Sequence, residues 1–154
     1  MAYSGPYGSV AGVEGLTRHI RYGGGENHPG LADVEDWLTA RAAQLTGWIA
    51  AAGYVTPVLI ASYPEAVAVL GRFANYGAAS DAEAAQRTGG YSSDDEDRRE
   101  VWFAREFHKA EAWINGGALA GLGVPTLPTP GASAGLQFIP VVYRDTSSTD
   151  EFSR

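Results

Sequence analysis

The side chains able to do chemistry are few and scattered. His19, His28 and His108 fall in separate segments, and no pair has the i,i+4 or short-loop spacing of a metal site. With Cys 0, no thiolate can complete a zinc sphere, attack a substrate or form a disulfide. Asp94, Asp95, Glu96 and Asp97 carry enough charge for a cation but lack the alternation and central Gly of a calcium loop. The same run suits the first turn of a helix, where carboxylates oppose the positive end of the macrodipole. Asp33, Glu35 and Asp36 also crowd a helix start, with Glu35 off its apolar face. Hydrolysis would ask for paired carboxylates, or a serine beside a base, held in a pocket. No serine here lies in a strained turn between a strand and a helix. Gly117, Gly121 and Gly123 evoke a dinucleotide loop, yet they follow a helical segment and open no new helix. The glycines at 23–25 lack the Lys and Ser/Thr of a phosphate loop. These residues nominate no catalytic group, no metal site and no cofactor, so a protein that is not an enzyme is expected.

The elements that would position any site are helical. Val34, Leu38, Ala42, Leu45, Ile49 and Ala52 recur at four- and three-residue steps, which predicts one long amphipathic helix from about Leu31 to Ala52. Gly53 supplies a left-handed stop, and Pro57 blocks a restart. Ser9 can cap a shorter helix through about Ile20, with Val10, Val13, Leu16 and Ile20 on one face. Residues 1–8 read as a Gly/Pro/Tyr lead-in. Pro64 fits the first position of a third helix, whose stripe is Val67, Leu70, Ala74 and Ala78. Gly71, Ala74, Gly77 and Ala78 would let another backbone approach it closely. Thr88, Gly89 and Gly90 end that helix. Ser92 or Ser93 can cap a fourth helix with Phe103, Phe107, Ala110 and Ile114 as its core stripe, closed by Asn115, Gly116 and Gly117.

Trp37 and Trp48 lie off the core face of the long helix and are eleven residues apart, close to three turns; Trp102 and Trp113 repeat that spacing on the fourth helix. Two readings stand. The rings complete the monomer core, or they form hot spots against a neighbouring subunit.

After the fourth helix the character changes. Residues 117–135 are rich in Gly, Ala and Pro, including Pro125, Pro128 and Pro130, and predict a linker without regular structure. Phe138, Ile139, Val141, Val142 and Tyr143 form the one strongly β-prone segment, split by Pro140, and Phe152 is the apolar residue of a polar tail. A lone β-prone segment has no sheet to join in a helical monomer, so its partner strand is expected on another chain. The fold class expected is all-α: a small bundle of about four helices over residues 1–117, then a linker and extended C-terminal arm over residues 118–154.

Composition narrows the roles. A 45% hydrophobic share places the chain among globular proteins, and 154 residues suit one domain. Lys+Arg 11 against Asp+Glu 18 leaves a net charge of −7, which disfavours binding nucleic acid by neutralising phosphates. An acidic wall instead suits a passage that must not grip DNA. The opening MAYSGPYGSV has neither the basic nor the apolar region of a secretory signal, and none is expected. Gly53, Pro57, Pro64 and Glu65 interrupt the apolar stretch around residues 49–70, so no membrane span is expected.

In order and spacing, these elements resemble the head–tail connector, or adaptor, proteins of tailed bacteriophages over about residues 8–117. The resemblance is carried by Val34-Glu35 with Trp37-Leu38, by Gly53-Tyr54 with Pro57, and by Trp113-Ile114 before Gly116-Gly117. The long Gly/Pro linker and the Gly-rich first loop depart from it. The resemblance implies a structural virion protein of the phage neck, made in the host cytoplasm. Its copies would form a ring between the portal protein and a tail or stopper protein, and DNA would pass through without sequence-specific binding. The interface residues would be Trp37, Trp48, Trp102 and Trp113, with the arm residues Phe138, Ile139, Val141, Val142, Tyr143 and Phe152. The alternative is a cellular helical protein-interaction module, such as a dimeric regulatory subunit.

Overall fold

The computed structural model describes residues 3–23, 28–88 and 94–128. Among them the fold is all-α, a packed bundle of helices, as the apolar periodicity requires. Helix α1 (Val10–Leu16) starts where Ser9 Oγ accepts from the Gly12 backbone N–H at 3.0 Å. It stops short of the expected Ile20. Thr17 leaves helical geometry, and its buried hydroxyl turns back to donate to the Val13 carbonyl at 2.8 Å. Ile20 still reaches the interior.

Helix α2 (Leu31–Ala51) buries Val34, Leu38, Ala42, Leu45 and Ile49 of the expected row, while Ala52 caps its end and is only partly buried. At its start the Asp33 carboxylate accepts from the Gly30 N–H at 2.7 Å, and at its end Gly53 turns the chain with φ +80°. Helix α3 (Pro64–Thr88) is the centre of the bundle, packing on α1, α2 and α4 (Asp94–Asn115). Its small residues make that possible. A Cβ on Gly71 would sit 3.1 Å from the Gly8 nitrogen, and one on Gly77 would sit 2.8 Å from Arg41 Cδ and 3.0 Å from the Phe107 ring. Helix α4 buries Phe103, Phe107, Ala110 and Ile114 against it. The caps expected at Ser92 or Ser93, and the side chains of the acidic run at 94–97, lie outside the described residues.

Two segments depart from the expected pattern. The lead-in is part of the body: Tyr7 is buried, its hydroxyl accepts from the Val58 N–H at 3.0 Å, and the Tyr3 N–H donates to Glu35 at 3.0 Å. The supposed linker also begins as packed structure. A short helix α5 (Ala118–Gly121) and the turn after it place Leu119 and Val124 in the core. Gly117 and Gly123, at φ +83° and +81°, reverse the chain tightly enough to do this, so breaker-rich composition marks turns here rather than loose chain. The chain then pairs back on the α2–α3 loop. Val55 N–H donates to the Pro125 carbonyl at 3.0 Å and Leu127 N–H to the Gly53 carbonyl at 2.6 Å, around an isolated antiparallel bridge between Tyr54 and Thr126. The packed body therefore continues past residue 117 through residue 128. The β-prone residues Phe138, Ile139, Val141, Val142 and Tyr143, and Phe152, lie outside the described residues. Among the described residues no helix is long and apolar enough to cross a membrane.

Candidate interaction surfaces

The most unusual group is one the sequence pattern did not flag. Glu83 continues the row of Ala79 on α3 into the interior, and its side chain has no solvent exposure. His19 Nε2 meets Oε2 of this carboxylate at 3.1 Å. Arg99 Nε stands 3.7 Å from Oε1, too far for a hydrogen bond, and among the described residues neither atom has a hydrogen-bond partner. The Tyr22 hydroxyl contacts that of Thr17; burial pushes the Tyr22 phenol up, and the nearby charges of Glu83 and Glu14 add to the rise. A general acid or base must reach its substrate. A carboxylate so covered instead clasps three elements, the exit of α1, the end of α3 and the start of α4. A second brace joins α2 to α3, where Arg41 Nε donates to Asp81 at 2.9 Å while the guanidinium lies 5.1 Å from the centre of the Phe107 ring. Among the described residues no cluster of three or more His, Asp or Glu could hold a metal ion.

The four tryptophans separate into two kinds. Trp37, Trp48 and Trp113 are partly buried against the core. Trp48 packs on Phe107 at 5.1 Å between ring centres and on His108 at 6.1 Å, while Trp113 packs on Phe73 at 5.8 Å. For Trp48 and Trp113 the flanking position is one that α4 and α3 cover within one chain. Trp102 differs. One face rests edge-on against Tyr76 and Phe103, and 47% of the residue remains exposed beside Val101, also exposed. Arg98 and Arg105, four residues before and three after, flank this apolar spot and line a shallow depression with it.

A second apolar surface lies on the α2–α3 loop. Leu59 and Ile60 are 57% and 69% exposed, and Val55 and Leu127 stand exposed where the chain pairs back on this loop. Leu59 and Ile60, with Val58 and Val67 and the polar Ser9, Arg72 and Asn75, line an open groove of about 580 Å³. The sequence does not mark these residues as exposed, because a short apolar run after a helix stop reads equally well as core. Comparison with protein-family models, curated proteins and solved structures gives no match for this chain.

Proposed function

We propose that this chain is a structural, non-catalytic subunit of a tailed-phage neck, a head–tail connector or adaptor. Its copies form a ring between the portal protein and the tail or stopper, and DNA passes through the ring. The observation that carries this reading is the pair of distinct exposed apolar surfaces, Trp102 with Val101 on α4 and Leu59 with Ile60 on the α2–α3 loop. A head-to-tail ring contact joins two different patches of one chain, whereas a two-fold dimer needs only one. The order of helices and the net charge of −7 fit the same role, since an acidic lumen does not hold DNA. Large aromatic side chains flanked by Arg are the usual anchors of protein interfaces.

The runner-up, a dimeric interaction module, draws on the Trp102 patch alone, which could pair with itself across a two-fold axis. Labelling an epitope-tagged chain in purified particles separates the two. Label at one capsid vertex, and tailless DNA-filled heads when the gene is deleted, are the results expected of a neck subunit. Label confined to the cell fraction would refute the neck role and favour the module.

A further inference from the structure

We infer that the groove beside the α2–α3 loop is the docking site for this chain's own segment at residues 138–143, so that the free subunit carries its arm folded onto itself. Three observations converge. The groove opens at Leu59 and Ile60, the two most exposed large apolar residues of the described chain. The described chain ends at the root of the loop that carries Leu59 and Ile60, because Leu127 is bonded to Gly53 and Pro125 to Val55. Residues 138–143 then supply Phe138, Ile139, Val141, Val142 and Tyr143, the one strongly β-prone apolar run in the sequence.

Reach does not limit the contact. Residues 129–137 span roughly 30 Å when extended, at about 3.3 Å per residue. From Gly53, which holds Leu127, the loop can carry Leu59 no farther than about 20 Å away by the same measure. A tether this short holds the segment at an effective concentration of the order of millimolar, so its own groove outcompetes that of another copy at ordinary protein concentrations. The docked segment covers apolar side chains that would otherwise face water. A partner that takes up the arm must first displace it, which ties exposure of Leu59 and Ile60 to assembly. This inference goes beyond the neck role and stands without it.

Because the chain has Cys 0, a pair of introduced cysteines reports the contact without background. The full-length chain carrying Ile60→Cys and Val141→Cys is oxidised at low concentration and compared with Arg98→Cys plus Val141→Cys, whose first site lies near the other end of α3. Ile60 is exposed, so its replacement does not touch the core. The expected result is a disulfide within single chains, formed about tenfold faster at position 60 than at position 98. Equal rates, faster reaction at position 98, or disulfides formed only between chains would overturn the inference.

Discussion

Tyr7 shows how one polar atom can fix a segment that composition leaves undefined. It is buried, and its hydroxyl is the partner of the Val58 N–H, itself in the core. Tyr7→Phe keeps the ring but strands that N–H, so it should destabilise the fold by about 1–3 kcal/mol, read as a lower urea midpoint. Burial also raises the phenols of Tyr3, Tyr7 and Tyr22 above the ordinary 10.0. Each therefore holds its proton in the folded chain after the unfolded chain has lost it. The stability this represents is intact below pH 10 and is lost as pH rises toward the folded values, because the unfolded state then binds fewer protons. Urea midpoints should accordingly be level approaching pH 10 and fall above it. A midpoint unchanged at about pH 11 would mean that these phenols are not held in the core.

Among the helices, glycine position carries opposite consequences on neighbouring elements. Gly47 lies on the exposed side of α2 with no atom near its would-be Cβ, so Gly47→Ala should stabilise by roughly 0.5–1 kcal/mol through helix propensity. Gly77 on α3 faces Arg41 and Phe107 at contact distance, and Gly77→Ala should destabilise by about 1–2 kcal/mol by pushing them apart. Thermal melts of the two variants should shift in opposite directions. Leu119 gives the matching test for α5. It is fully buried, and Leu119→Ala should lose about 2–5 kcal/mol, whereas a residue in a loose linker would lose almost nothing. The long helices were legible because their apolar steps are regular and Gly53, Pro64 and Gly117 punctuate them. The segment at 118–128 was not, since Leu119 and Val124 are its two buried apolar anchors among breakers, and the turns that bring them inward leave no periodic trace. Glu83 was hidden for the converse reason. A charged residue on a helix reads as solvated unless its burial row is followed through.

For the whole molecule, the question is which surfaces remain once the core is complete. Spacing alone grouped four tryptophans as equal interface candidates. Packing divides them, because α3 and α4 cover Trp48 and Trp113 while Trp102 keeps an open face. Trp102→Ala should therefore destabilise the isolated chain only moderately, by about 1–2 kcal/mol, yet reduce incorporation into particles strongly if it anchors a subunit contact. Trp48→Ala should do the reverse first, loosening the monomer by about 3–5 kcal/mol. The central claim, a ring subunit of a virus neck, is tested most directly by quantitative mass spectrometry of particles purified from the native source. A closed ring on a single vertex requires a small copy number per particle in fixed ratio to the portal protein. Absence from particles, or a copy number that varies independently of portal, would contradict it.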